Sequence, residues 1–248
     1  MRRQWRLLLV AIQFLTKLPV PAAGELPQDA LAESARFFPI VGSIVGLGAV
    51  AIDWVIGPPA GRNVSVVLIL VYLVIVTGGL HEDGLADAAD GFGGGWTKDR
   101  VLAIMRDSTI GSFGALAIGC SLLARFVFLT SLPARNFHGV LLAGQVLGRW
   151  AMLPLAHWLP SARSGQGQGA RMAQKTSTTS LVVATACMVV IVSVACGVAA
   201  LAMIAAACGV AALTGAYYRR RIDGVTGDCL GATCQVAECA VYLTGVVS

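Results

Sequence analysis

Residues 181–218, LVVATACMVVIVSVACGVAALAMIAAACGVAALTGAYY, form a long apolar stretch that contains no charged side chain. A helix needs about 20 apolar residues to cross a bilayer, so this stretch is too long for one membrane span. We predict two spans that separate near Gly197. The stretch therefore indicates an α-helical membrane protein.

The rest of the chain has the same character. Of its 248 residues, 56% are hydrophobic and 12% are charged, whereas soluble domains carry about 25% charged residues. Five more segments approach the length of a span, which makes about seven in all. These segments are residues 38–56, 64–80, 112–132, 139–159 and 230–247. We predict an all-α, polytopic helical bundle in which residues 1–248 form a single membrane-embedded domain.

The positive charges are distributed asymmetrically about these spans. With the N-terminus in the cytoplasm, only Arg62 and Arg135 fall outside. The residues that fall inside are Arg2, Arg3, Arg6, Lys17, Arg36, Lys98, Arg100, Arg106, Arg163, Arg171, Lys175, Arg219, Arg220 and Arg221. This distribution obeys the positive-inside rule and puts the loops that begin at His81, Pro160 and Arg219 on one cytoplasmic face. A single span through the long apolar stretch would instead place the arginines that follow it outside.

Three further features give no indication of a soluble protein: the net charge, the N-terminal residues and the cysteines. Because the net charge of +5 follows membrane topology, we expect no nucleic-acid partner. Residues 1–20 are predicted to form a short amphipathic helix on the membrane surface, since Gln13 and Lys17 interrupt the apolar run. The seven cysteines lie mostly in apolar segments without a Cys-x-x-Cys pair, which predicts buried, reduced structural thiols.

An acidic segment, residues 81–91 (HEDGLADAADG), follows one of the spans directly. At about 100° per residue on a helix, Asp83, Asp87 and Asp90 fall within roughly 60° of one another, and Glu82 lies about 100° to one side. Like charges at this spacing destabilise a helix, and a divalent cation with oxygen ligands would offset the repulsion. We predict that the three aspartates bind Mg²⁺; the alternative is a solvated acidic cap on a transmembrane helix.

The segments that follow carry further candidate site residues. Gly93 and Gly94 belong to a glycine run that permits close approach of a phosphate or a bulky ligand, although such a run is also typical of a flexible loop. Arg106 is a candidate phosphate ligand, and Asp107 is a candidate metal ligand or base. The alternative is a turn in which Asp107 or Ser108 caps the next span.

Ionisable residues also occur at or inside the predicted spans, where they are expensive and usually face a site or a partner. Arg36 begins the first span, and Arg149 is a better phosphate candidate than Arg125, which is expected to pair with a carboxylate. Asp228 and Glu238 of the last span are expected to complete the polar site. The glycines between them permit tight helix packing.

Four stretches together resemble the cobalamin synthase family, also called adenosylcobinamide-GDP ribazoletransferase. In the family's order they are residues 36–42 (RFFPIVG), residues 79–91 (GLHEDGLADAADG), residues 104–108 (IMRDS) with Gly111, and residues 226–232 (TGDCLGA) with Glu238. The resemblance implies a multi-pass enzyme of the bacterial cytoplasmic membrane that requires Mg²⁺, and the predicted topology makes its active site face the cytoplasm. It implies joining of adenosylcobinamide-GDP to α-ribazole or its 5′-phosphate, with release of GMP and formation of adenosylcobalamin or its phosphate.

For this reaction we hypothesise direct displacement at the cobinamide-linked phosphorus, with Mg²⁺ on the three aspartates. The expected phosphate ligands are Arg36, Arg106 and Arg149. The candidates for the base that accepts the ribazole hydroxyl proton are Asp107, Glu82 and Asp228. The sequence leaves open the preferred acceptor, the number of metal ions and whether the chain forms a homo-oligomer.

Two other functions use similar carboxylates. CDP-alcohol phosphotransferases of phospholipid synthesis carry Asp-rich motifs at a membrane surface, but their pattern continues from Asp-Gly to Ala-Arg, whereas Phe92 follows Asp90 and Gly91 here. A cation transporter should bury its ion ligands near the midplane of the membrane, often at broken helices. Because the carboxylates here cluster at one predicted membrane face, the sequence favours an enzyme.

Overall fold

The computed structural model describes residues 2–22, 30–163 and 176–248. Its α-helices are α1 (Arg2–Leu15), α2 (Ala30–Ser34), α3 (Phe38–Ala60), α4 (Arg62–Thr77), α5 (Leu80–Gly94), α6 (Lys98–Ile104), α7 (Ser112–Ser131), α8 (Phe137–Trp158), α9 (Thr178–Cys196), α10 (Ala200–Ile222) and α11 (Gly227–Val247). The described part of the chain has no β-strand, only an isolated bridge between Ser161 and Val225. The predicted all-α class is confirmed.

Five helical runs of the described residues are long and apolar enough to cross a membrane. They are Ala30–Ala60, Ser112–Ser131, Phe137–Trp158, Thr178–Ile222 and Gly227–Val247. Together, α4 and α5 make a sixth if they form one broken span. The protein is therefore a multi-pass membrane protein, and the count of seven stays a prediction.

The long apolar stretch breaks at the predicted glycine. Gly197 has φ +56°, in the left-handed region that favours glycine because it lacks a Cβ. A 3₁₀ turn, Gly197–Ala199, separates α9 from α10. The break ends α9 and lets the chain change direction.

The contacts of α9 and α10 with α8 show in which direction each of these two helices runs. Trp150 of α8 donates a hydrogen bond to Thr185 of α9 (3.0 Å), and Gly139 at the start of α8 packs against Ala195 at the end of α9. Thus α9 runs antiparallel to α8. Near its end, α10 places Gly215 beside the last turn of α8, so the chain reverses between α9 and α10.

Helix α8 is central. Of the residues in its most apolar part, 89% are buried. Four helices pack on α8, namely α3, α9, α10 and α11. The contacts of α11 show that it is antiparallel to α8: Gln145 donates to Tyr242 (2.8 Å), and Gly148 lies against Cys234 and Glu238. This arrangement puts the polar side chains of α8 and α11 inside the bundle.

Two consecutive glycines produce the sharp bend before the acidic helix. Gly78 and Gly79 have φ +65° and +69°, and α4 and α5 meet at 87°. The backbone N–H of Lys17 donates to Val76 O at this bend (2.7 Å), which ties the N-terminal segment to it. Helix α1 is amphipathic as predicted, since Leu7 is buried and Trp5 is 60% exposed; its location on a membrane surface stays a prediction.

The three loops predicted to share one face meet at one end of the bundle. Arg221 donates to Gly95 O (2.7 Å), Lys98 pairs with Asp223 (3.4 Å), and the loop after α8 contacts both the end of α6 and the start of α11. The predicted gathering is confirmed. The structure does not describe Arg171 and Lys175, which the predicted topology assigns to the same face.

All seven cysteines are free thiols. Cys229 and Cys234 are buried as predicted, but Cys120 and Cys208 are exposed. The prediction of burial is wrong for these two, because an apolar segment in a membrane protein also has a surface that faces lipid.

Candidate active site

The acidic segment is helical, as the spacing of its aspartates predicts. Asp83 of α5 is exposed, whereas Asp87 and Asp90 are half-buried. The charges of Asp83, Asp228 and Asp90 repel Asp87, and the charge of Arg163 attracts it. The carboxylates of Asp83, Asp87 and Asp228 thus lie within electrostatic range of one another, and we call these three residues the acidic cluster.

A close contact between two helices brings Asp228 to α5. The α-carbons of Gly84 on α5 and Gly231 on α11 face each other, and a Cβ at Gly84 would lie 3.2 Å from Gly231 Cα. The first turn of α11 is capped by Thr226, whose hydroxyl accepts the Cys229 N–H. Asp228 is therefore held in the first turn of α11, beside the middle of the acidic helix.

Asp90 accepts two hydrogen bonds that its position on the stripe does not predict, and its role as a metal ligand stays a prediction. Its Oδ2 accepts the Gly111 N–H (2.7 Å) and its Oδ1 accepts the Gly114 N–H (2.9 Å). Gly111 is the N-cap residue of α7 and has no side chain to supply this bond. The prediction that Asp107 or Ser108 caps this span is wrong, because a carboxylate from another helix satisfies the free N–H groups.

Arg106 and Asp107 lie in the exposed turn between α6 and α7. The Thr109 hydroxyl donates to Asp107 Oδ1 (2.6 Å), and the Thr109 N–H donates to the same atom (3.0 Å). The two bonds hold the pKa of Asp107 below its ordinary value, the side-chain bond having the larger effect. Asp107 is thus an ionised acceptor in a turn, and its catalytic role stays a prediction.

The ionisable residues inside the bundle form a buried network. Arg125 pairs with Glu82 (3.2 Å) and with Glu238 (3.5 Å). Arg149 also pairs with Glu238 (3.5 Å), and Gln235 donates to Glu82 (3.0 Å). Two arginines therefore balance two glutamates away from water, and the predicted pairing of Arg125 with a carboxylate is confirmed.

Two predicted site residues, Glu82 and Arg149, belong to this buried network. Glu82 is 8% exposed and Arg149 is 1% exposed. Glu82 adjoins Asp83 in sequence, but a helix turns about 100° per residue, so one side chain points inward and the other outward. The roles of Glu82 as a base and Arg149 as a phosphate ligand stay predictions.

The remaining predicted ligands lie elsewhere at the same end of the bundle. Arg36 donates to Glu33 O (3.0 Å) and to Ser180 Oγ (3.3 Å), which ties the start of α3 to α9. Gly93 and Gly94 lie in the last turn of α5. Gly93 packs against Phe113 of α7, and Gly94 packs against Ile104 of α6. The contacts of these three described residues do not join them to the acidic cluster.

Two neighbouring cavities open at Asp83. One, of about 180 Å³, is also lined by His81, Gly84 and Asp228. The other, of about 540 Å³, lies at the glycine bend and is also lined by Lys17. Asp83 therefore stands between two cavities, one of which is also lined by the carboxylate residue Asp228 and the other by Lys17.

The acidic cluster suits a hard cation. In the described residues, no group of three or more His, Cys, Asp or Glu side chains is close enough to hold an ion alone. Asp83 and Asp87 nevertheless offer only oxygen atoms, which Mg²⁺ prefers, and protein Mg²⁺ sites commonly use one or two carboxylates together with substrate phosphates. The donor set thus fits a metal ion that is completed by a phosphorylated ligand.

Two residues of this region are not among the site residues predicted from the sequence. Arg163 donates to Asp228 Oδ2 (2.9 Å), and no local pattern marks it, since its position depends on a backbone pairing with distant residues. Gln235 could have been found, because it lies three residues before Glu238 in an otherwise apolar span. Both residues donate hydrogen bonds to carboxylates that were predicted to belong to the site, Asp228 and Glu82.

Comparison with known proteins identifies the family of this chain. A sequence model described as cobalamin-5-phosphate synthase matches residues 7–246. The chain belongs to the cobalamin-5-phosphate synthase family. It is therefore an enzyme, a transferase of cobalamin biosynthesis, and the resemblance seen in its motifs is confirmed.

Curated members of the family are similar over nearly their full length. The adenosylcobinamide-GDP ribazoletransferase of Shewanella frigidimarina is 36% identical over 97% of this chain and 94% of its own. The enzyme of the same name from Shewanella baltica is 34% identical over 99% and 97%, and that from Shewanella piezotolerans is 33% identical over 98% and 95%. No solved structure matches the chain significantly.

Proposed function

We propose that this enzyme transfers the adenosylcobinamide phosphoryl group of adenosylcobinamide-GDP to α-ribazole or its 5′-phosphate and releases GMP. The observation that carries the proposal is the near full-length similarity to ribazoletransferases, in a chain whose aspartates gather beside two cavities. The acidic cluster supports it, because its carboxylates could hold the metal ion that neutralises the negative charge of a diphosphate substrate.

In the proposed reaction the ribazole hydroxyl oxygen attacks the cobinamide-linked phosphorus. The bond from that phosphorus to the bridging oxygen breaks, and GMP leaves with that oxygen. Mg²⁺, held by Asp83 and Asp87 with Asp90 as the third predicted ligand, would supply charge neutralisation on the phosphates when bound. The two cavities at Asp83 would receive the diphosphate and the incoming ribazole.

Asp228 is the base that this arrangement favours among the three predicted candidates. It belongs to the acidic cluster and lines the smaller cavity together with Asp83. Glu82, in contrast, is buried inside the bundle with Arg125 and Gln235 and lines neither of the two cavities at Asp83. A carboxylate beside the reacting phosphorus can accept the hydroxyl proton as the new bond forms.

Purified full-length protein tests the proposal directly. It is given Mg²⁺, adenosylcobinamide-GDP and α-ribazole or its 5′-phosphate in parallel, and GMP and the corrinoid product are measured. We expect equal amounts of GMP and product, and the two acceptors will show which one is preferred. Absence of GMP release with both acceptors would reject the proposal, and CMP release from a CDP-alcohol would favour the phospholipid enzyme instead.

We further propose that the protein lies in the bacterial cytoplasmic membrane with the acidic cluster facing the cytoplasm. The support is the excess of arginine and lysine in the loops at that end. Peptide tags inserted next to Lys98 and next to Arg135 test the orientation. The first should be accessible only in inside-out vesicles and the second only in right-side-out vesicles.

A further inference from the structure

Among the residues that the structure describes, Arg163 is the cation that forms an ion pair with the acidic cluster. Its Nη2 donates to Asp228 Oδ2 (2.9 Å) and to Met105 O (3.4 Å). Its charge also acts on Asp87, where it opposes the repulsion from the other carboxylates. Arg163 thus neutralises part of the negative charge where the proposed reaction needs a metal ion and a diphosphate.

The backbone around Arg163 is held in place independently of this ion pair. Ala162 N donates to Val225 O (3.0 Å), and Val225 N donates to Pro160 O (2.9 Å). Gly224 packs closely on the same segment. Because this pairing joins the start of the loop after α8 to the residues before α11, it positions Arg163 beside Asp228 without relying on the side chain.

The guanidinium of Arg163 has bonding capacity to spare. Its Nε is buried and has no hydrogen-bond partner, and the side chain is 24% exposed. A guanidinium presents five N–H donors in a fork that matches two phosphate oxygens. The residue therefore pairs with one carboxylate while leaving donors for a second acidic group.

We propose that Arg163 is a substrate-positioning residue that exchanges Asp228 for the non-bridging oxygens of the diphosphate. In the free enzyme Arg163 holds Asp228 and stabilises the acidic cluster. When the diphosphate enters, the guanidinium moves to its phosphate oxygens and frees Asp228 to accept the ribazole hydroxyl proton. This inference rests on the proposed function and adds a residue and a charge exchange to it.

The exchange predicts opposite effects of one substitution on two ligands. In Arg163→Gln the acidic cluster loses its cation, so Mn²⁺, used as a spectroscopic substitute for Mg²⁺, should bind about 3- to 10-fold more tightly without substrate. The same substitution should raise the KM for adenosylcobinamide-GDP by about 10- to 100-fold, because the charge-assisted bonds to phosphate are lost. Arg163→Lys should keep the metal affinity of the wild type and recover only part of the KM.

The experiment measures Mn²⁺ binding by electron paramagnetic resonance and KM by GMP release, on wild type, both Arg163 variants and Arg100→Gln. Arg100 is an exposed arginine on α6 and serves as the matched control, with both values unchanged. If the wild type is active and Arg163→Gln changes neither value, this inference alone is overturned. It is also overturned if Arg163→Gln loses Mn²⁺ affinity and thermal stability together while its KM stays constant. A wild type that releases no GMP would overturn the proposed function.

Discussion

Gly84 and Gly231 let α5 and α11 approach so closely that a Cβ at Gly231 would lie 3.3 Å from the Gly84 α-carbon. A Cβ at Gly84 would lie 3.0 Å from the carbonyl oxygen of Asp228. Such contacts are with backbone, which cannot rotate away as a flexible side chain can. The distance between the aspartates of α5 and Asp228 therefore depends on the absence of side chains at both glycines.

Substituting either glycine should separate the two helices. We expect Gly84→Ala to lower the free energy of unfolding by about 1–3 kcal/mol, as overpacking does, and to lower kcat for GMP release. Gly119→Ala on α7 is the control, since a Cβ there meets nothing within 4 Å. Denaturant unfolding in detergent and single-turnover GMP release measure the two effects; wild-type values for Gly84→Ala would show that the close approach is not required.

Asp83 and Asp87 are expected to be indispensable if they hold the metal. Asp83→Asn and Asp87→Asn should each reduce Mg²⁺-dependent GMP release by at least the roughly 10- to 100-fold that disturbing a metal site causes. Asp99→Asn, on the exposed face of α6, should keep wild-type activity. Near-normal rates in both α5 variants at limiting Mg²⁺ would contradict the metal assignment.

Asp90 should affect stability more than its neighbours on the stripe. Asp90→Ala leaves the N–H groups of Gly111 and Gly114 without their acceptor, so the free energy of unfolding should fall by about 1–2 kcal/mol. Asp83→Ala should not lower it, because Asp83 is exposed. Thermal unfolding compares the variants, and equal melting temperatures would show that the cap contributes nothing.

Arg125 should be essential to the stability of the bundle. Arg125→Met leaves Glu82 and Glu238 buried without the cation they share, which typically lowers the free energy of unfolding by about 3–5 kcal/mol. Adding Glu82→Gln should restore part of the loss, because it removes one uncompensated charge. Exposed Arg135 provides the control, since Arg135→Ala should change stability by less than about 0.5 kcal/mol.

Failure of the rescue would point elsewhere. If Arg125→Met with Glu82→Gln is no more stable than Arg125→Met alone, the loss does not come from the unpaired carboxylate. Denaturant unfolding of the two variants and of Glu82→Gln forms a double-mutant cycle that measures the coupling energy between Arg125 and Glu82.

Local patterns in the sequence predicted a large part of the fold. The predicted span at residues 112–132 corresponds to Ser112–Ser131, and the break near Gly197 separates α9 from α10. Apolar length, helical spacing and glycine conformation act over a few neighbouring residues, so they can be recognised without tertiary structure. The helix with its acidic stripe was predictable for the same reason.

The partners of the polar residues were not predictable in this way. Asp90 and Glu82 occupy one helix, yet the first caps α7 and the second joins a buried network. Which role each takes depends on what packs against that side of the helix, and this information lies in segments far away in the chain. Arg163 was missed because the backbone pairing that positions it joins residues separated by about a quarter of the chain.

The amino-acid sequence by itself determined a helical membrane protein, the break at Gly197, an acidic helix and the family to which the chain belongs. Only the tertiary structure decided that Asp228 joins Asp83 and Asp87, that Asp90 caps α7, and that Glu82 and Arg149 are buried. The physical reason is that helix formation and membrane insertion depend on local composition, whereas a charged group takes the partner that packing brings within a few ångströms.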